Sequence, residues 1–236
     1  MVLGTLFIAL LTAAFPAVTS RPLPLTTDQV VSRMLEQDEA RRAALQNYVS
    51  VRHYALDNKR FHKRAEMTVR VTYTSPGTKS FTVVSEKGSG FIRRKVLQKM
   101  IEAEVEAAKE ENGDRSRIIP KNYDFELLGT EQEEGRPSYV LQIAPKTANK
   151  FLIRGRIWVD AEDFAIIRVE GSPAKNPSFW TSRIQVKHEY EKHAPFWLPR
   201  SNFSRSEVRI FGPTELTIDY LEYQINAALQ NTGANE

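Results

Sequence analysis

The chain contains no cysteine. Without it there is no disulfide, no thiolate metal site and no acyl anchor on a cysteine at a cleavage site. The four histidines are His53, His62, His188 and His193, and none stands in an HExxH-type pair. No GxSxG nucleophile elbow occurs. Acidic residues are scattered among Lys and Arg at alternating positions, the pattern of solvated strand faces. Beyond residue 20 no run is long and apolar enough to cross a bilayer. The expectation is a protein that is not an enzyme and uses neither metal nor cofactor.

The N-terminus is apolar instead. Val2 to Val18 carries no charge and ends in small residues. It predicts a signal peptide over residues 1–20, cut after Ser20 with Val18 at −3, and a mature chain beginning near Arg21. No basic residue precedes the run, and retention as an N-terminal anchor stays open as the alternative. Export implies a periplasmic or extracellular chain working without ATP. One domain is expected over residues 21–226, with a disordered tail over 227–236. The net charge of +4 mildly favours anionic lipid head groups or an acidic protein face, and nucleic acid is not expected.

Thr26-Thr27-Asp28-Gln29 reads as a capping box opening a helix from about Asp28 to Gln46, with Val31, Met34, Leu35 and Leu45 as its apolar stripe. Strands are predicted at about 47–57, 62–74, 79–86, 122–131, 136–144, 150–160, 163–171, 181–192, 196–211 and 214–225, the 196–211 stretch breaking near Ser204. Ten or eleven such strands imply a large antiparallel sheet curled into a barrel or half-barrel. Alternation puts Phe151, Ile153, Ile157 and Val159 on one face, and Arg154, Arg156, Trp158 and Asp160 on the other. Ala165, Ile167 and Val169 alternate in the same way, as do Ile184 and Val186. These apolar faces are expected to line one cavity or core, and Trp158, on the charged face, to tolerate replacement.

A second helix is predicted from about Phe91 to Glu111, with Ile92, Val96 and Met100 on a face widened by Leu97 and Ile101. Gly88-Ser89-Gly90 before it lacks the third glycine of a nucleotide loop, and reads as a hinge at Gly88 and Gly90. The helix has Arg93, Arg94 and Lys95 in its first turns and glutamates in its second half, against the macrodipole. That order suggests either a solvated basic face or a site for an anionic head group, the helix then acting as a lid. Phe179-Trp180 and Phe196-Trp197 are core plugs or the rim of a cavity.

Arg156-Ile157-Trp158-Val159-Asp160, followed by Ala165-Ile166-Ile167-Arg168-Val169-Glu170, resembles the central hairpin of the LolA/LolB-like outer-membrane lipoprotein-sorting proteins. Phe196-Trp197-Leu198-Pro199 resembles their next strand. The order of leader, helix, three strands, helix and hairpins is also similar. The stretches Asn149–Asp160 and Pro173–Trp180 look like a subgroup within that family. The resemblance implies a mainly β (α+β) fold: an open antiparallel half-barrel of about eleven strands, its concave face capped by amphipathic helices. It implies a periplasmic carrier that holds acyl chains of lipoproteins or other lipids and moves them toward the outer membrane, with inner- or outer-membrane transport proteins as partners. Two rivals remain: an acyl sensor or scaffold of the same fold, and an envelope hydrolase.

Overall fold

The computed structural model describes residues 25–107, 114–176, 181–209 and 212–227. The leader, Phe179-Trp180, the end of the second helix and the tail beyond Ala227 lie outside the described residues. Helix α1, Thr27–Ala44, opens on the expected capping box: Thr26 Oγ1 accepts from Gln29 N at 3.3 Å, and Thr26 N donates to Gln29 Oε1 at 2.9 Å. Three strands follow, β1 (Asn47–Asn58), β2 (Lys63–Thr74) and β3 (Thr78–Gly88). A second helical segment comprises α2 (Gly90–Ile92), a π-helical stretch Arg93–Leu97, and α3 (Gln98–Ala107). Seven more strands complete the chain: β4 (Tyr123–Glu133), β5 (Arg136–Pro145), β6 (Ile153–Asp160), β7 (Ile166–Pro173), β8 (Thr181–His193), β9 (Phe196–Val208) and β10 (Gly212–Ile225).

All ten strands form one antiparallel sheet in the order β3-β2-β1-β10-β9-β8-β7-β6-β5-β4. The sheet does not close, so the fold is an open half-barrel with β3 and β4 as free edges. The expected break near Ser204 is absent: Ser204 pairs with both Val186 and Leu216 inside a continuous β9, which makes ten strands rather than eleven.

Directly paired residues share a face, so the registers show where each side chain points. One row crosses the whole sheet: Leu127, Leu141, Ile157, Val169, His188, Asn202, Ile218, Tyr54, Met67 and Glu86. Its β4–β7 side packs under α1, where Val30, Val31 and Met34 meet Tyr123, Leu141, Ile143, Leu152, Ile157, Val159 and Val169. Its β1–β3 side packs under the second helix with Ile92, Leu97 and Ile101. Both helices therefore lie on the same face, over different ends of the strand order. Each core is apolar enough to hold its helix, since a buried leucine or isoleucine stabilises by about 1.5–3 kcal/mol.

Two departures from simple alternation and one unexpected burial have visible causes. The β6–β7 register skips from Trp158–Arg168 to Val159–Ile166, leaving Ile167 in a bulge. Ile167 consequently packs with Val140, Trp158 and Trp197 on the opposite face, and Ile166 takes its place beside the α1 core. Phe151 precedes β6 and is 48% exposed, so it does not share the face of Ile153. Trp158 is on the outer face but only 2% exposed: Arg168 lies over its ring at 4.3 Å, Arg156 at 5.3 Å, and its Nε1 donates to Glu131 at 2.9 Å. Trp158→Ala should thus lower unfolding free energy by about 3–5 kcal/mol, the range for a buried aromatic. Urea unfolding checks this; a change within experimental scatter would mean that the outer-face cluster contributes nothing.

Candidate functional site

Between the two helix-covered regions, strands β8 and β9 carry a strip with a different character. Its floor in the central row is His188 and Asn202. The neighbouring row passes through Gly155, Gly171, Val186 and Ser204, so its middle carries small side chains. Gly155 and Gly171 face each other, and a Cβ on Gly155 would stand 1.9 Å from the Glu170 carbonyl oxygen. The strands approach there as only glycine permits. Tyr190 on β8 and Tyr220 and Tyr223 on β10 complete the strip. A bulge at Leu221, where the β1–β10 register shifts between Val51 and Arg52, lets both tyrosines of β10 face inward.

His188, Asn202, Tyr190, Tyr220 and Tyr223 are all half-buried. Burial alone lowers the pKa of His188, so the imidazole is neutral at pH 7. Burial pushes Tyr190 up to about 12, and raises Tyr220 and Tyr223 further. Asn202 Nδ2 donates to Tyr220 Oη at 3.0 Å, and Tyr223 Oη donates to the Pro199 carbonyl at 2.8 Å. The strip is a neutral, aromatic, partly solvated trough. On its α1 side a cleft of about 290 Å³ continues beneath the helix, with Met34, Leu35, Ala165, Ile166 and Tyr190 on its apolar side and Asp38, Arg41, Arg42 and Arg117 on its charged side. This is near the lower end of ligand-site volumes.

The second helical segment flanks the other side. Ile92 and Leu97 are both buried although five residues apart. The π-helical stretch accounts for this: Gln98 N bonds to Arg93 O, and the widened turn brings position i+5 under position i. Leu97 and Ile101 become the deepest contacts, while Val96 and Met100 flank them.

A polar contact adds to this packing. Arg52 projects from β1 on the helix-bearing face and is 2% exposed. Its Nη1 donates to Glu104 Oε1 of α3 at 2.7 Å, its Nε to Ser50 Oγ at 3.1 Å and its Nη2 to Tyr48 Oη at 3.3 Å, while its guanidinium lies 4.7 Å from the centre of the Tyr220 ring. Lys79 of β3 donates to the same Glu104 oxygen at 2.8 Å, and Tyr54 Oη reaches Oε2 at 3.5 Å. Desolvation alone would raise the Glu104 pKa, but Lys79 and Arg52 outweigh it and hold the carboxyl at about 2. Desolvation likewise opposes the charge on Arg52, and Glu104 reverses it, raising the pKa. Glu104 is thus the pin between α3 and the sheet.

The sequence-derived site residues divide accordingly. Ile153, Ile157, Val159, Ala165 and Val169 are in or beside the α1 core; Val186 is on the trough floor; Ile184 is buried near the start of β8. Gly88 is not a free hinge. Its φ is +77°, and a Cβ there would sit 2.2 Å from the Arg64 carbonyl oxygen, so it is fixed against β2. Gly90 is the helix's first residue, facing only the guanidinium ends of Arg93 and Arg94. Arg93 pairs with Glu86, whereas Arg94 and Lys95 are exposed. Sequence reading missed Arg52 and Glu104. The signal was there: Tyr48, Ser50, Arg52, Tyr54 and Leu56 alternate onto one face, and a lone charge in that series calls for a partner.

Among the described residues no helix is long and apolar enough to cross a membrane, and no group of three or more His, Cys, Asp or Glu is placed to hold a metal. The protein is an open antiparallel half-barrel with two helical covers on one face. It belongs to a family of unknown function, DUF5686, whose profile matches residues 55–226. No curated protein matches the chain. It is similar to a solved domain described as an outer membrane lipoprotein-sorting protein from Vibrio parahaemolyticus, at 12% identity over 85% of this chain and 95% of that one, with a TM-score of 0.42. It is similar to a DUF1329 family protein from Desulfovibrio piger, at 14% identity over 86% and 95%, with a TM-score of 0.42. A LolA superfamily protein from Nitrosomonas europaea is similar at 10% identity over 87% and 96%, with a TM-score of 0.38.

The Glu104 pin gives a pH-dependent expectation. Its folded pKa, about 2, is below the ordinary 4.5, so its stabilisation is complete above pH 4.5 and is lost as pH falls through about 2. Amide exchange along α3 should rise over that window while α1 stays protected. Glu104→Gln should raise α3 exchange at neutral pH, remove the pH dependence, and destabilise the fold by roughly 1–3 kcal/mol. Equal exchange of α3 in both proteins would show that apolar packing alone holds the helix.

Proposed function

We propose that this protein is a non-enzymatic carrier of the cell envelope that binds acyl chains of lipoproteins or other lipids along the trough between its two helical covers. The observation that carries this reading is the neutral strip itself. One continuous sheet face is apolar under α1 and under α3, and between them His188, Asn202, Tyr190, Tyr220 and Tyr223 form a half-buried strip of uncharged side chains, with charge confined to its margins at Arg52 and Asp38. An acyl chain gains about 0.8 kcal/mol for each methylene it buries, and a floor of uncharged side chains sets a smaller desolvation cost against that gain than a charged one would. Met34, which lines the cleft beneath α1, and Met100, packed beside the second core, suit packing against chains of varied shape. Longer ligands are accommodated by lifting α3 from Arg52 and Lys79. Transfer runs through the periplasm toward the outer membrane, after removal of the leader near Arg21.

The non-enzymatic reading is supported by the surroundings of the histidines. His188 has no carboxylate partner among the described residues, and His193 Nε2 contacts only the near neighbour Glu191, at 2.8 Å. A sensor or scaffold role keeps the same trough and adds a protein partner. The observation favouring it is β3, a free edge on which Val83 and Val84 are exposed and open to strand addition.

Native mass spectrometry of full chain prepared from an envelope fraction without detergent should show bound lipid mass. Ser204→Trp places a bulky ring on the trough floor, and should weaken binding of a fluorescent fatty-acid probe at least tenfold with little change in melting temperature. A lipid-free spectrum together with no probe binding by the unaltered protein would end the carrier reading. Probe binding undiminished by Ser204→Trp would move the ligand away from this trough.

A further inference from the structure

The two ends of the half-barrel differ in charge organisation. The registers Asn58–Lys63, Ala65–Gly88, Ile153–Pro173 and Tyr123–Pro145 bring the β1–β2 turn, the start of α2, and the segments after β5 and β7 to one end. The β4–β5, β6–β7 and β8–β9 turns lie at the other. At that second end opposite charges neutralise one another: Arg136 pairs with Asp160 and Glu162, Lys192 with Asp163, Arg200 with Glu134 and Glu189. At the first end Lys59, Arg64, Arg93 and Lys146 are paired with Asp57, Glu66, Glu86 and Asp124, but a surplus remains: Lys63, Lys87, Arg94, Lys95, Lys150 and Lys175 are exposed, and no carboxylate among the described residues pairs with them.

The same rim carries exposed phenylalanines. Phe61 in the β1–β2 turn is 45% exposed, Phe91 at the start of α2 is 61% exposed, and Phe151 before β6 is 48% exposed. Each stands next to a cation: the Arg60 guanidinium lies 5.6 Å from the Phe61 ring centre, the Lys150 ammonium 4.9 Å from that of Phe151, and Phe91 precedes Arg93 to Lys95 by sequence. Three large aromatic side chains held out to water on one rim cost solvation energy that core packing would have recovered. The exposed Lys63, Lys87, Arg94, Lys95, Lys150 and Lys175 on the same rim point to a surface that is both negative and apolar a few ångströms down.

We infer that this rim docks the protein on an anionic lipid bilayer, its lysines and arginines meeting phosphate head groups while Phe61, Phe91 and Phe151 enter the acyl boundary. The polarity of charge orients the molecule before contact, basic end first. Each cation near an anionic surface strengthens binding about fivefold, and the rings add an apolar contribution that salt does not screen. An acidic protein face would satisfy the cations but not the scattered rings, which sit on separate connections rather than in one groove. The inference is independent of what occupies the trough.

The test uses sedimentation of the full chain with phosphatidylcholine vesicles, with and without phosphatidylglycerol. Binding should appear with phosphatidylglycerol and fall as salt rises. Reversing Lys63, Lys87, Arg94 and Lys95 to Glu should weaken it at least a hundredfold. Replacing Phe61, Phe91 and Phe151 together by Ser should weaken it about tenfold at fixed salt, while leaving retention on heparin, a soluble polyanion without an apolar phase, unchanged. Ser204→Trp should bind the vesicles as the unaltered protein does, which separates this surface from the trough. No binding to phosphatidylglycerol vesicles would overturn the inference. Binding insensitive to the Phe→Ser changes would overturn it too, in favour of an acidic protein partner. The Lys, Arg and Phe substitutions are all at exposed positions, and melting curves identify any variant that has lost its fold.

Discussion

An antiparallel sheet that stops short of closing has one inner face and no opposite wall to pack it against. Everything else in this structure answers that constraint. The ten-residue row from Leu127 to Glu86 is apolar where a helix covers it and polar or small where none does. Two helices, from different parts of the chain, cover the two flanks. The α1 side reaches β8 only at Tyr190, and the face stays half-buried at His188, Asn202, Tyr220 and Tyr223 in the sheet's centre. The trough follows from the geometry of an unclosed sheet whose two helix-covered cores lie at its flanks.

The two covers are fastened differently. Helix α1 sits on an apolar core and is tied at its ends by hydrogen bonds to backbone: Thr27 Oγ1 accepts from Leu127 N at 3.1 Å, and Arg41 donates to the carbonyls of Asp163 and Phe164. The second helix has an apolar core as well, but its far half is held through Glu104 to a buried arginine. An ion pair with a buried partner is stable when complete and costly when broken, which gives discrete docked and undocked arrangements rather than gradual loosening. The odd charge order of this helix now has a cause. Glu104 faces Arg52 and Lys79, Arg93 faces Glu86, and Arg94 and Lys95 of the basic turn have no carboxylate partner among the described residues.

Bulges decide several side-chain directions that alternation assigns wrongly. The skipped pairing at Ile167 sends that residue to the outer face and brings Ile166 inward. The shift beside Leu221 turns Tyr220 and Tyr223 to the same face although they are three residues apart. The π-helical turn does for the second helix what a bulge does for a strand, placing Leu97 beneath Ile92. Each adds one residue to a regular repeat, and each is adjacent to the trough or its cover.

Local chemistry written in consecutive residues was legible in the sequence. The capping box at Thr26, the ten strands, and the apolar alternation of Ile153, Ile157 and Val159 all rest on short-range patterns, and all can be read without knowing the fold. Tertiary structure alone decided which strands meet, because register depends on contacts between residues far apart in sequence. It therefore also decided the bulge at Ile167, the burial of Trp158 under Arg168, the clamping of Gly88 against Arg64, and the meeting of Arg52 with Glu104 across fifty-two residues. A charge on an apolar strand face announces that a partner exists; only the packing of a distant helix onto that face determines which one it is.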